Sequence, residues 1–151
     1  MNIRIAEEKD YLQVECLMKQ VHDLHVELCP NIYKPEEVIW TKEEFMELAE
    51  KEEVLVAMEN EKVVGLLAYI FRMISGKIVV DRKVMFIESL AVDEKYRSKG
   101  IGRALLDRAK EICKEKGCDS LELQVNARNI RAWEIYKKYG FREKSINMEL
   151  A

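Results

Sequence analysis

The chain has 151 residues, of which 48% are hydrophobic and 35% are charged, and its formal net charge at pH 7 is −3. A chain of this size and composition is typical of a globular protein with a well-developed core, and we expect residues 1–151 to form a single domain. The slightly acidic balance argues against general nucleic-acid binding, which requires a basic face.

The N-terminal third predicts one short strand and two helices. Apolar and polar residues alternate at 3–5, as in a strand, and apolar residues then recur at helical spacing as far as Pro30, which stops the helix. An irregular loop follows over 29–40. The sequence TKEE at 41–44 has the form of a capping box and opens the second helix.

The middle of the chain predicts an antiparallel meander. In the segment VLVAMENEKVVGLLAYIF, residues 54–71, two apolar runs flank a polar turn at 59–62, which is typical of a β-hairpin. Another turn is expected at Ser75 and Gly76, and MFIESLAV, residues 85–92, supplies a third strand.

The C-terminal part predicts a helix ending near Gly117, a strand at 121–125, a helix at 130–139 and a last strand at 141–150. The strand–helix–strand order over 85–125 implies a right-handed crossover between two parallel strands. The element order therefore predicts an α/β (α+β) fold, with a mixed, mostly antiparallel central sheet flanked by helices on both faces.

The sequence predicts neither export nor membrane insertion. The first residues, MNIRIAEEKD, lack the basic-then-apolar order of a signal peptide, and no window has the apolar length of a spanning helix. The four cysteines form no CxxC pair, and Cys16 and Cys113 lie within helical apolar patterns. We expect a cytoplasmic protein with reduced, mostly buried thiols.

The stretch YRSKGIGRALL places Gly100 and Gly102 at a predicted strand-to-helix junction. Bare N–H groups at a helix start attract anions, most often phosphates. Three cations surround the glycines: Arg97, Lys99 and Arg103. The alternative is a plain turn with solvated cations. A P-loop sequence is absent, and a Rossmann fingerprint lacks its third glycine because Leu105 holds that place.

The segment LAVDEKYRSKGIGRALL resembles the acyl-CoA-binding motif of the GNAT (GCN5-related) N-acetyltransferase superfamily. That motif is Arg or Gln, two residues, Gly, any residue, then Gly or Ala, and here it reads RSKGIG at 97–102. The segment NARNIRAWEIYKKYGF, 126–141, is similar to the family's C-terminal segment of Asn, Ala, Tyr and Gly-Phe. The resemblance is specific from about residue 54 to 141 and implies the GNAT acyl-CoA N-acyltransferase fold.

The resemblance implies that acetyl-CoA binds along one loop and one strand. Backbone groups of Leu90, Ala91 and Val92 would hold the pantetheine arm, and an amide near Leu90 would stabilise the oxyanion of the reaction. Asn129 matches a position that contacts the cofactor, although a plain helix N-cap is the alternative. The implied pyrophosphate loop consists of Arg97, Ser98, Lys99, Gly100, Ile101, Gly102 and Arg103.

By the same resemblance, Tyr136 matches the tyrosine proposed to protonate the departing CoA thiolate. A phenol with a pKa near 10 can donate a proton to a developing thiolate. The alternative is a core aromatic residue, because Tyr136 lies at helical spacing from Ala132 and Trp133.

Glu88 is the candidate general base, since several family members use a glutamate on this strand. It lies in MFIESLAV, in line with Phe86, Leu90 and Val92 on a strand of alternating faces. Apolar neighbours would disfavour its charged form, which suits a base near neutrality. Two alternatives are a counter-ion for the amine and a structural pair with a cation such as Arg72 or Lys83.

His25, Tyr33 and Trp40 flank the loop that, by resemblance, lines the acceptor pocket, so they are candidate substrate contacts. His22 and His25 lie three residues apart, but two ligands do not make a metal site and no third is evident. No metal is therefore expected.

The expected function is transfer of an acetyl group from acetyl-CoA to a primary amine of a small molecule or a peptide or protein, by direct attack in a ternary complex. One alternative is a catalytically silent CoA-binding sensor or partner-binding domain, and another is a nucleotide-binding protein. The expected partners are acetyl-CoA and an amine, without nucleic acid or membrane. The sequence leaves homodimerisation, common in this family, open. Regions 22–40 and 72–83 would decide the acceptor.

Overall fold

The structure is a computed structural model that describes all 151 residues as one five-stranded sheet and four α-helices. The strands are β1 (Asn2–Ile5), β2 (Val54–Glu59), β3 (Lys62–Ile74), β4 (Arg82–Val92) and β5 (Ser120–Leu123). The helices are α1 (Tyr11–Leu28), α2 (Lys42–Glu50), α3 (Ile101–Glu115) and α4 (Ile130–Tyr139).

The strands lie in the order β1-β2-β3-β4-β5, and every neighbouring pair is antiparallel except β4 and β5. The hairpin between β2 and β3 and the meander through β4 confirm the sequence prediction. Helix α3 connects the two parallel strands, as the strand–helix–strand pattern implies.

Each face of the sheet has its own core. A cluster of 13 buried residues, including Leu105 and Ala109 of α3, covers one face. A second cluster of 11 buried residues, including Leu17 of α1 and Phe45 of α2, covers the other. Burying a Leu or Phe side chain stabilises a fold by about 1.5–3 kcal/mol, so both layers hold the sheet in place. The predicted mixed sheet with helices on both faces is confirmed.

Local signals define the helix ends as predicted. The Thr41 hydroxyl accepts a hydrogen bond from the Glu44 N–H at 3.1 Å, and the Glu44 carboxylate accepts one from the Thr41 N–H at 3.2 Å. Helix α1 ends two residues before Pro30. Gly117 follows α3 with a φ of +67°, a left-handed conformation that favours glycine.

The predicted last strand, 141–150, is wrong, because this segment has no regular structure. Its apolar residues Ile146, Met148 and Leu150 alternate as in a strand, yet they are exposed. An alternating sequence gives a segment one apolar face, but a strand also needs a neighbouring strand with which to pair. No strand pairs with the outer side of β5, the edge strand, which pairs only with β4. Strand β5 is also shorter at its end than the predicted 121–125.

The predicted burial of Cys16 is also wrong. Cys16 is exposed on α1, whereas Cys29 and Cys113 are buried and Cys118 is half-buried. Trp133 of α4 is 40% exposed, and its indole N–H donates to the Glu143 carboxylate at 3.1 Å.

None of the helices combines the length and the apolar composition needed to cross a bilayer.

Candidate active site

Strand β4 is paired on only part of one side. Its residues Val84–Ile87 pair with β5, but β4 continues to Val92 without a neighbour on that side. Backbone groups of Leu90, Ala91 and Val92 that point towards β5 therefore meet no strand. Such an edge is ready to pair with the amide groups of an extended ligand.

A β-bulge lies where this opening begins. Ile87 pairs with Tyr69 and Ser89 pairs with Ala68, which leaves Glu88 as the extra residue of β4. A bulge of this kind shifts the alternation of side chains by one position and re-aims the residue it contains.

Because of the bulge, the environment of Glu88 differs from the predicted one. Leu90 and Val92 pack against the α3-side core, as Ile87 does, so they lie on the face opposite to Phe86. The prediction that Glu88 is in line with Phe86, Leu90 and Val92 together is therefore wrong. Glu88 is exposed rather than enclosed by apolar neighbours.

The structural alternative for Glu88 is also absent. No ion pair joins it to Arg72 or Lys83. The Arg72 guanidinium lies 3.8 Å from the centroid of the Phe86 ring, and the Lys83 ammonium donates to the Lys116 carbonyl at 2.9 Å. The Glu88 carboxylate is thus free to meet an incoming group.

Helix α3 begins without a side-chain cap, after a connection that runs from the end of β4 at Val92 through a short 3-10 turn at Glu94–Tyr96. Gly100 is its N-cap, with a φ of +82° that favours glycine. The Ala104 N–H donates to the Gly100 carbonyl at 3.0 Å, so the helix ladder starts there. The earlier N–H groups of the first turn have no intrahelical partners and carry the positive end of the helix dipole.

Gly102 keeps open the space between α3 and β4. A Cβ atom at this position would meet only the Val92 side chain, at an ordinary 3.8 Å. The nearby cations Arg97, Lys99 and Arg103 form no ion pair within the chain. Bare amides, empty space and unpaired cations together suit a phosphate-bearing ligand.

Tyr136 of α4 is half-buried against the α3-side core. Its ring meets Phe141 edge-on at a centroid distance of 5.8 Å. Burial raises the pKa of Tyr136 to about 12, so the phenol keeps its proton at neutral pH. The hydroxyl has no hydrogen-bond partner in the chain, so core packing of the ring leaves the O–H available to a ligand.

Asn129 is the N-cap of α4, which is the alternative to cofactor contact that the sequence offers. Its side-chain oxygen accepts from the Ala132 N–H at 3.3 Å. The side-chain amide donors remain uncommitted, so capping and ligand contact are compatible.

The predicted acceptor residues fall into two places. The His25 and Tyr33 rings pack at a centroid distance of 5.4 Å, and burial lowers the pKa of His25. Trp40 instead lies near the start of α1, where its carbonyl accepts from the Tyr11 hydroxyl at 2.7 Å. The Trp40 N–H donates to the Glu15 carboxylate at 2.9 Å. Glu15 and His25 are ten residues apart on α1, or about 15 Å along the helix, so Trp40 lies far from His25 and Tyr33.

Arg128 is a residue that the sequence analysis did not single out. Its guanidinium donates to the Leu28 carbonyl at 3.2 Å and to the Asn31 side chain at 3.4 Å. It therefore joins the loop before α4 to the end of α1 and to the loop that follows α1. No sequence signal identifies a contact between residues this far apart in the chain.

No group of three or more His, Cys, Asp or Glu side chains in the structure is arranged to hold a metal ion.

Comparison with known sequences gives one family match and several relatives. The model of the acetyltransferase (GNAT) family matches residues 18–141. An uncharacterized N-acetyltransferase of Methanocaldococcus jannaschii is 36% identical over 109 residues, which are 71% of this chain and 47% of that protein. The ribosomal protein bS18-alanine N-acetyltransferase of Escherichia coli is 36% identical over 70 residues, 46% of each chain. The chain thus spans about half the length of these curated relatives.

Comparison with solved structures supports the fold. A mutant of the BH1408 protein from Bacillus halodurans superposes with a TM-score of 0.96 at 31% identity and covers 100% of this chain and 99% of that one. An aminoglycoside N-acetyltransferase in complex with CoA has a TM-score of 0.73 at 17% identity, with 99% and 98% covered. The second likeness concerns the fold alone.

Proposed function

The chain belongs to the GNAT acetyltransferase family, and from that premise we propose that it transfers an acetyl group from acetyl-CoA to a primary amine. The amine is part of a small molecule or of a peptide or protein, and it attacks the thioester directly in a ternary complex. The observation that carries this proposal is the uncapped start of α3, opened by Gly102, beside the free edge of β4.

The donor site follows from these features. Backbone amides of 98–103 would hold the pyrophosphate oxygens, and Arg97, Lys99 and Arg103 would balance their charge. The amides of the pantetheine arm would pair with Leu90–Val92 along the edge that β5 leaves free. A fold relative in complex with CoA supports this reading of the cleft.

The proposed reaction gives a chemical role to each of three groups that the family resemblance points to. Glu88 takes the proton of the amine, directly or through a water, or anchors its ammonium form. A backbone amide near Leu90 stabilises the oxyanion that forms when the amine attacks the carbonyl carbon. Tyr136 donates from its hydroxyl to the sulfur as the carbon–sulfur bond breaks. The products are the N-acetylated amine and free CoA.

Thermal unfolding with added ligands tests the donor site first. Acetyl-CoA or CoA at 100 times its dissociation constant should stabilise the protein by about 2.7 kcal/mol, a rise in Tm of about 5–10 °C. ATP and NAD should have little effect. Gly102→Trp should abolish the response because the indole fills the space beside Val92. Lys110→Trp, on the exposed face of the same helix, is the matched control.

Thiol release from acetyl-CoA in the presence of an amine panel tests turnover. Amine-dependent release supports the enzyme. Stabilisation by CoA without release for any amine would instead favour the silent sensor or partner-binding domain. If neither CoA species raises Tm, the donor-site assignment is wrong.

A further inference from the structure

A patch of the sheet next to the bulge is not covered by α1 or α2. On the face that these helices cover, the buried core on β3 ends at Ala68. Farther along the same face, Ile70 pairs with Phe86, and Arg72 extends over the Phe86 ring. The exposed bulge residue Glu88 follows on β4, at the edge of this region. These four residues, Ile70, Arg72, Phe86 and Glu88, form the bare patch.

The neighbouring aromatic contacts confirm which face the bare patch occupies. The Tyr69 and Phe71 rings meet at 5.6 Å, and Lys83 lies 5.2 Å from the Phe71 ring centroid. Tyr69 belongs to the α3-side core, so Phe71 and Lys83 lie on that side. Arg72, between Phe71 and Met73, therefore points to the opposite side of the sheet.

Both charges of the bare patch lack partners. Arg72 and Glu88 are exposed, and neither takes part in an ion pair or side-chain hydrogen bond of the chain. Stacking on Phe86 at 3.8 Å restrains the Arg72 guanidinium while leaving its N–H groups free at the rim. A restrained, unpaired guanidinium is suited to bidentate binding of an oxyanion.

The closeness of the two charges indicates one ligand for both. The Arg72 guanidinium lies over Phe86, and the exposed bulge residue Glu88 follows Phe86 closely on β4, so both charges lie within reach of one small molecule. We propose that the acceptor is an amine that also carries an oxyanion, a carboxylate or a phosphate group. Its amine lies at Glu88 and its oxyanion lies at Arg72. This inference rests on the proposed acetyl transfer, whose acceptor it specifies.

The same geometry excludes one class of acceptor. A polyamine or other polycation with its reacting nitrogen at Glu88 would place a second positive charge near Arg72. Like charges at this separation repel. The Glu122 carboxylate, in register with Phe86 on β5, is already paired with Arg82 and Lys144. The bare patch therefore selects against polycations, although Glu88 alone would attract them.

Matched acceptors test the inference. In the thiol-release assay, ω-amino acids of increasing chain length are compared with their neutral carboxamides and with aminoalkyl phosphates. The best oxyanion-bearing amine should exceed its neutral counterpart by about ten- to a hundredfold in kcat/KM. Whichever anionic series is preferred identifies the group as carboxylate or phosphate. A wild-type preference for carboxamides or diamines would overturn the inference.

Arg72 variants assign the preference to this side chain. Arg72→Gln should abolish the advantage of the oxyanion, and Arg72→Lys should keep part of it, because lysine retains the charge but not the planar fork. Lys110→Gln removes an exposed, unpaired cation on α3 and should leave the preference unchanged. An undiminished preference in Arg72→Gln would overturn the inference.

A binding measurement separates this inference from the proposed function. The Tm of CoA-saturated protein is measured with and without the ω-amino acids and aminoalkyl phosphates. Stabilisation that is lost in Arg72→Gln supports the oxyanion site even if no amine is acetylated. Absence of that stabilisation overturns the inference even if simple amines are turned over.

Discussion

At the residue scale, the free hydroxyl of Tyr136 has the clearest consequence. Tyr136→Phe retains the ring that packs on Phe141 and removes only the donor. We expect kcat to fall by about 10²–10⁴, with Tm and CoA affinity close to wild type. Steady-state kinetics and thermal unfolding measure both quantities. A variant with normal kcat would reduce Tyr136 to a core aromatic residue.

Some single residues were predictable and others were not. The helix cap at Asn129 and the left-handed backbone at Gly100 follow from local chemistry, which a short sequence window contains. The face of Glu88 does not, because a bulge adds one residue to one strand without altering composition or periodicity enough to reveal it. The stacking of Arg72 on Phe86 likewise depends on strand register.

At the scale of elements, Glu122 links β5 to its surroundings. Partial burial alone would raise the pKa of this carboxyl, but hydrogen bonds from Ser120, Lys144 and Arg82 lower it to about 2. Arg82 belongs to β4 and Lys144 to the C-terminal segment, at N–O distances of 2.9 Å each. One carboxylate therefore ties together three parts of the chain.

This link predicts an acid-sensitive contribution to stability. Because the folded-state pKa is depressed, the contribution is present above the usual carboxyl value of about 4.5 and is lost as pH falls towards 2. Glu122→Gln should lower the free energy of unfolding at pH 7, and the difference from wild type should shrink over that window. Urea unfolding at several pH values measures it. A constant difference would contradict the assignment.

Elements whose own sequence contains capping residues, periodic apolar residues or a turn were predicted well. Helices α2 and α4 carry caps and periodic apolar residues, and the β2–β3 hairpin has a polar turn between two apolar runs. The segment 141–150 shows why the final strand was predicted wrongly. Its alternation is local, whereas strand formation depends on a partner that local sequence does not specify.

At the scale of the whole molecule, Arg128 connects segments nearly a hundred residues apart. Arg128→Ala removes hydrogen bonds worth about 0.5–1.5 kcal/mol each. We expect faster hydrogen exchange in the loop at 29–34 and a higher acceptor KM, with little change in kcat. Exchange measured by mass spectrometry, beside acceptor kinetics, checks both. Unchanged exchange in that loop would show that the contact does not restrain it.

The number of residue pairs between β4 and β5 determines the length of the opening beside β4. Each additional residue pair formed with β5 would close the opening by about 3.3 Å, and each pair lost would lengthen it by the same amount. The last residue pair, Ile87 and Leu123, therefore marks the point at which the opening begins. In the proposed donor site, a few residues at the end of this short edge strand would set how far an extended donor can reach along β4.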